Sequence, residues 1–203
     1  MGGVFTRLLQ TVSWKQKIGV LMTGDAESGK TTILYHWVSG TCVTTSHTVG
    51  SNMETLERGD ITFTFFDVGG EQRSRPVFQK TLCTNLVKYK KKGIVFVIDS
   101  CDRQWIKEAK DLLKDLLESD VLQNVPLLVY ANKQDRSDAM SVEDITEAFE
   151  LDSIKGRPLL VQGCCALTGS GIEGGLAWLA DPNSSQDFKG LDPKDADQGE
   201  QMC

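Results

Sequence analysis

No apolar stretch in this chain approaches the roughly 20 residues that a membrane-spanning helix requires. Arg7 and Gln10 also interrupt the N-terminal apolar stretch that a secretory signal would need. Excess positive charge is missing as well: 22 Lys and Arg stand against 28 Asp and Glu, a net charge of −6. That balance argues against a protein that coats nucleic acid electrostatically. The six cysteines (Cys42, Cys83, Cys101, Cys164, Cys165 and Cys203) include no CxxC pair of the metal-binding kind, and they read as reduced thiols of a cytosolic protein. There is no internal repeat. With 40% apolar and 25% charged residues the composition is neither disordered nor fibrous. A length of 203 residues suits one domain, large enough to bury a core without disulfide or metal staples.

What charge there is lies unevenly. Residues 1–20 carry Arg7, Lys15 and Lys17 and no acid. Residues 181–203 carry Asp181, Asp187, Asp192, Asp195, Asp197 and Glu200 against Lys189 and Lys194. That tail has too little apolar content to offset its ordering entropy, so 181–203 is expected to be a disordered acidic segment. Between the ends, runs rich in Val, Ile, Leu and Phe at 18–22, 61–66, 94–98, 126–130 and 159–164 read as buried strands. A shorter run at 53–56 joins the second of these as a hairpin through Glu57-Arg58-Gly59-Asp60. Helical patterns fit 30–39 (stopped by Gly40), 102–118, 141–149 and 172–179. The third opens like a capping box at Ser141-Val142-Glu143-Asp144, its acid pair one residue short of the ideal spacing. Such alternation predicts an α/β fold: a mostly parallel six-stranded sheet with helices on both faces, occupying 17–180.

Three motifs follow strands in order. Gly24-Asp25-Ala26-Glu27-Ser28-Gly29-Lys30-Thr31 matches the G-x-x-x-x-G-K-[ST] phosphate loop, with a strand before it and a helix after it. Its glycines let backbone N–H groups wrap phosphates at a helix N-terminus. Lys30 is expected to reach the β- and γ-phosphates, and the Thr31 hydroxyl, followed by Thr32, to ligate Mg²⁺. Asp67-Val68-Gly69-Gly70 ends an apolar strand, where ligands bind in open α/β sheets. Asp67 there can hold Mg²⁺ through water, and Gly70 can offer its N–H to the γ-phosphate. Asn132-Lys133-Gln134-Asp135 points to guanine, because the Asp135 carboxylate accepts from both N1–H and the 2-amino group, which adenine leaves unpaired. Asn132 would brace the loops and Lys133 would lie along base and ribose. Cys165-Ala166-Leu167 would supply a backbone N–H to guanine O6.

With these residues in view, the chain resembles the ADP-ribosylation-factor (Arf/Arl) family of small GTPases over about residues 1–181. The resemblance is carried by Met1-Gly2…Phe5, Gly29-Lys30-Thr31-Thr32, Thr48-Val49-Gly50…Asn52-Met53-Glu54-Thr55, Phe66-Asp67-Val68-Gly69-Gly70, Arg75-Pro76 and Val129-Tyr130-Ala131-Asn132-Lys133-Gln134-Asp135. Gly169-Ser170-Gly171-Ile172…Gly175-Leu176…Trp178-Leu179 adds to it. It implies a P-loop GTPase fold and a GTP/GDP switch that acts with Mg²⁺, exchange factors, GTPase-activating proteins and effectors. It also implies Thr48 as the threonine that closes on Mg²⁺ and γ-phosphate, and a hairpin whose movement on GTP binding expels the N-terminal helix. The expected setting is that of a monomer in the cytoplasm, recruited reversibly to Golgi or another endomembrane for vesicle-mediated transport. The N-terminus fits independently: Met1-Gly2-Gly3-Val4-Phe5-Thr6 matches the myristoylation pattern, with Gly2 as acceptor. Val4, Phe5, Leu8, Leu9 and Val12 share one face of a helix assigned to 1–16. The same face suits permanent docking on the core.

Four departures stand out. The family's water-positioning glutamine falls on Glu71, which when ionised accepts but cannot donate, so hydrolysis is either impaired or served by Glu71 as a base. No Arg or Lys lies between Thr31 and Glu57, so a fast reaction must borrow an arginine from a partner. Asp25 and Glu27 place acids in the phosphate loop, where they repel polyphosphate unless they point to solvent. Ser51, Phe66 and Thr81 stand where the family exposes three aromatics, so its usual effectors are not implied. About six residues are inserted around 86–92, with Lys88, Lys90, Lys91 and Lys92, as a solvated loop or as a contact for acidic lipid or a partner. Cys203 is terminal rather than fourth from the end, so no prenyl anchor is expected. Two other readings compete: a non-hydrolysing GTP-bound scaffold, and a P-loop ATPase or small-molecule kinase, which the Asn132–Asp135 motif disfavours.

Overall fold

The computed structural model describes residues 15–40, 51–68 and 83–184. The expectations for Gly2 and the N-terminal helix, Thr48, Gly70, Glu71, Thr81 and the acidic tail beyond 184 lie outside these residues, as does the side chain of Ser51.

Six strands form one sheet: β1 (Gln16–Gly24), β2 (Ser51–Arg58), β3 (Ile61–Val68), β4 (Lys91–Asp99), β5 (Leu127–Asn132) and β6 (Leu159–Gly163), in the order β2-β3-β1-β4-β5-β6. All pairings are parallel except the β2–β3 hairpin. Helices α1 (Lys30–Ser39) and α4 (Ile172–Ala180) cover one face; α2 (Ile106–Leu117) and α3 (Val142–Ala148) cover the other.

Burial on both faces explains why the strands read as continuous apolar runs. In β4, Ile94, Phe96 and Ile98 enter the cluster under α2 and α3, while Val95 and Val97 enter the one under α1 and α4. β5 divides likewise, with Leu127, Val129 and Ala131 against Leu128 and Tyr130. In the second cluster Trp37 stacks on Phe65, with ring centroids 5.0 Å apart, and donates its indole N–H to the Ile172 carbonyl at 3.3 Å.

Several boundaries differ from the sequence reading for identifiable reasons. β1 already includes Gln16, whose N–H bonds the Asp60 carbonyl at 2.8 Å, so the sheet begins inside the segment assigned to the N-terminal helix. β4 starts three residues early because Lys91 and Lys92 pair through backbone with Ile18 and Gly19, which needs no apolar side chain. α2 begins at Ile106 instead of 102: the Gln104 N–H bonds the Asp102 carboxylate at 3.2 Å, a local turn that competes with helix. The capping box of α3 is complete. Asp144 sits at the third helical position, and reciprocal bonds of 3.0 Å join Ser141 N–H to Asp144 Oδ2 and Asp144 N–H to Ser141 Oγ. The inserted loop is not simply solvated either, since Leu86 is fully buried and Tyr89 packs edge-on to Phe66.

Candidate nucleotide and magnesium site

The described site residues gather at the C-terminal ends of β1, β3 and β5 and in the loop after β6. β1 delivers the chain to Gly24, where a side chain is impossible: φ is +140°, and a Cβ would lie 2.0 Å from the Val97 carbonyl oxygen. The loop then turns through Glu27, left-handed at φ 57° and exposed, to Gly29, the left-handed N-cap of α1. A Cβ on Gly29 would lie 2.3 Å from Asn132 Nδ2, so the glycine lets the phosphate loop and the β5 motif touch. Lys30 is buried, and its ammonium donates to the carbonyls of Gly24 (3.4 Å) and Asp25 and to Ser28 Oγ (3.4 Å). Ser28 Oγ donates to the Asp25 carbonyl at 2.9 Å. Of the two acids in the loop, Glu27 meets the condition of facing solvent, whereas Asp25 is buried. Ala26 is exposed at the loop's outer bend, and Thr32 lies half-buried in the first turn of α1.

Thr31 Oγ1 donates to Asp67 Oδ2 at 2.8 Å. Asp67 is fully buried, and among the described residues its Oδ1 has no hydrogen-bond partner. Burial pushes this carboxyl above the ordinary aspartate range; the Thr31 hydroxyl and the Lys30 charge pull it partly back. An orphaned buried carboxylate oxygen is costly unless something pairs with it. Among the described residues no group of three or more His, Cys, Asp or Glu could hold a metal ion by itself. One hydroxyl and one carboxylate, both hard oxygen donors, fit Mg²⁺, which keeps several waters and takes few protein ligands beside phosphate oxygens.

On the base side, Asn132 is the bridge. Its Nδ2 donates to the Ser28 carbonyl at 2.7 Å, and its Oδ1 accepts from the Ala166 N–H at 2.9 Å and from the Cys164 thiol at 3.5 Å. This is the bracing role expected of it. Lys133 is left-handed at φ 68°, and its ammonium forms an ion pair with Asp99 at the end of β4. Asp135 is exposed. Gln134 anchors the motif inward: its Nε2 donates to Ser100 Oγ (2.9 Å) and to the Met140 carbonyl (3.0 Å), and its N–H to the Cys164 carbonyl (3.1 Å). In the last loop the Cys165 N–H is committed to the Ser170 carbonyl at 2.9 Å. The Ala166 N–H is the one turned toward the bridge, so a base oxygen there would share it with Asn132.

Sequence reasoning did not find Asp99 and Ser100. Ser100 is fully buried; its N–H donates to the Asn132 carbonyl at 3.1 Å and its own carbonyl accepts from Met140 at 2.8 Å. The available signal was two polar residues directly after the apolar run of β4, at the end of the sheet where the other motifs lie.

A phosphate loop on a strand–helix turn, a hydroxyl paired with a buried carboxylate beside it and an Asn-Lys-Gln-Asp loop tied to both define a P-loop guanine-nucleotide-binding protein with the small-GTPase fold. The chain belongs to the ADP-ribosylation factor family, whose sequence model matches residues 4–183. It is also similar to a solved structure of the Arl6 (BBS3) small GTPase from Trypanosoma brucei with a bound nucleotide analogue, GppNp. The TM-score is 0.74 with 29% sequence identity, covering 85% of this chain and 100% of that one. The chain is accordingly a GTP-binding switch protein. Proteins of this family bind guanine nucleotides, generally hydrolyse GTP, and work with exchange factors, activating proteins and effectors.

Proposed function

We propose that this protein is an Arf/Arl-type switch that hydrolyses GTP slowly on its own and is drawn in its GTP state from the cytoplasm to a membrane, at the Golgi or another endomembrane, for vesicle trafficking. The observation that carries the nucleotide part is the Asn132 side chain, which joins the phosphate loop at Ser28 to the base loop at Ala166. Around it, Lys30 has its ammonium on the carbonyls of the phosphate loop, and from there it would turn to the β- and γ-phosphates of a bound triphosphate. The Thr31 hydroxyl, the Asp67 carboxylate acting through water and, in the GTP state, Thr48 would hold Mg²⁺, which would supply positive charge beside the phosphates. Gly70 N–H and Lys30 would then favour the charge that develops at the γ-phosphate as water attacks, and Glu71 takes the sequence position of the family's water-positioning glutamine. Asp135 selects guanine.

Membrane recruitment rests on the Gly2 myristoylation pattern and the apolar face of residues 4–12. A single acyl chain holds a bilayer only marginally, so a second, switchable apolar element suits it. The test is co-sedimentation of myristoylated protein with liposomes, loaded with GDP or with a non-hydrolysable GTP analogue. Pelleting with the analogue alone is expected; equal pelleting in both states overturns the coupling.

The glutamate at position 71 favours a second reading, a GTP-bound scaffold that does not turn over. Single-turnover hydrolysis with a candidate activating protein separates the two. A burst of phosphate supports the switch, and its absence, with turnover restored by Glu71→Gln, supports the scaffold.

A further inference from the structure

At the N-terminal ends of the strands, opposite the nucleotide site, this acidic chain gathers positive charge. Lys15 and Lys17 sit at the start of β1, Lys88 and Lys90 in the loop that follows the helical turn at 83–86, and Lys91 and Lys92 at the start of β4. β1 and β4 are neighbours, with Ile18 opposite Lys91 and Gly19 opposite Lys92, and Lys91 Nζ donates to Gln16 Oε1 at 2.9 Å. The lysines therefore share one edge, and all but the half-buried Lys92 are exposed. Among the described residues four acids flank it: Glu57, ion-paired to Lys15 at 2.5 Å, Asp60 in the hairpin turn, and Glu118 and Asp120 beyond the end of α2. Six cations thus outnumber the local acids in a protein whose total charge is −6.

The loop that presents Lys88 and Lys90 is fastened from both sides. Leu86 is fully buried, and the Tyr89 ring lies against Gly19, where a Cβ would come within 2.6 Å of it. Phe66 meets the same ring edge-on at a centroid distance of 6.0 Å. Between the two anchors Val87 is 58% exposed, directly before Lys88. An aliphatic tip held outward among cations matches a target that is anionic at its surface and apolar beneath. That is a bilayer with acidic headgroups.

We infer that this edge docks on anionic lipid, with Val87 entering the headgroup boundary and Lys17, Lys88 and Lys90 facing acidic headgroups. Part of the argument rests on the membrane reading above: Lys15 continues covalently into residues 1–14, which carry the Gly2 pattern, so acyl chain and basic edge can meet one surface. One myristoyl chain needs a second signal for stable attachment, and a polybasic patch is one of the known kinds. Near such a surface each lysine contributes about fivefold in affinity.

The test uses the full, unmyristoylated protein loaded with GDP, so that neither acyl chain nor switch contributes. Its partitioning is measured onto vesicles of phosphatidylcholine alone and of phosphatidylcholine with phosphatidylserine, over a range of salt. The triple variant Lys17→Gln/Lys88→Gln/Lys90→Gln is compared with Arg103→Gln/Lys107→Gln/Lys110→Gln, which removes equal charge from in front of and along α2; retained GDP binding verifies that both are folded. Expected are binding to the phosphatidylserine vesicles that weakens with salt, loss of roughly a hundredfold in the first triple by the same per-lysine figure, and little change in the second. No preference for phosphatidylserine, or equal loss in both triples, overturns the proposal. The GDP-versus-analogue comparison of the myristoylated protein, run on phosphatidylcholine alone, can fail without affecting this result, so the two readings fall separately.

Discussion

At Asp67 two requirements of opposite sign meet. Serving a divalent cation needs the ionised carboxylate, but full burial with an unpartnered Oδ1 favours the protonated one, and the carboxyl is held above its ordinary value for that reason. A carboxyl raised in the folded state stabilises the fold below its unfolded value, and that contribution is lost as pH rises through the folded one. At neutral pH the buried charge therefore costs the metal-free protein stability. Asp67→Asn removes the charge and keeps an acceptor for Thr31. In EDTA at neutral pH the variant is expected to melt above the wild type, with the gap closing toward acid pH near the ordinary aspartate value of about 3.9. Added Mg²⁺ is expected no longer to tighten nucleotide binding. Thermal melts across pH and Mg²⁺ titrations check both; a lower melting temperature at every pH would mean that Lys30 and Thr31 already compensate the charge. Asp67 was readable from its place at the end of an apolar strand. The partner that Lys133 finds in Asp99 was not, because 34 residues separate them and only the β4–β5 register brings them together.

At the level of elements, α3 shows how little of a short helix is its own. It has seven residues and only Ile145 fully buried, so much of its definition comes from the Ser141–Asp144 box. Ser141→Ala removes the acceptor for the Asp144 N–H and is expected to lower global stability by about 1 kcal/mol, read as a shift in urea midpoint with unchanged slope. Nucleotide affinity should not change, since the helix contributes no described site residue. Element type was legible for the six strands and for α1 to α4, because two-sided burial leaves apolar runs and amphipathic helices leave their own period, whereas the helical turn at 83–86 went unread. Ends were less so. Strand ends at Lys91 and Val68 are set by backbone pairing with neighbours, and the start of α2 by a carboxylate competing for a backbone N–H. The anchors of the inserted loop were not legible for a related reason: its lysines are exposed as their charge suggests, but Tyr89 is held by a gap over Gly19 that only the packed sheet creates.

For the molecule as a whole, Asn132 makes the ends of β1 and β5 and the loop after β6 one unit, and a nucleotide spanning them binds only the folded chain. Ligand at a hundredfold over its Kd adds about 2.7 kcal/mol to stability. With Mg²⁺, GDP or GTP is expected to raise the melting temperature and an equal concentration of ATP is not; an equal rise with ATP would remove the guanine assignment from Asp135.

The sequence by itself determined the fold class, the phosphate loop and the Asn-Lys-Gln-Asp loop, because each depends on residue types at fixed local spacing next to a strand. The tertiary structure alone decided which backbone N–H groups of the last loop are already engaged, that Asp25 is buried while Glu27 is exposed, that Asp99 and Ser100 support the base motif, and that lysines more than 70 residues apart share one edge. These depend on register and packing between distant segments, which no local spacing encodes.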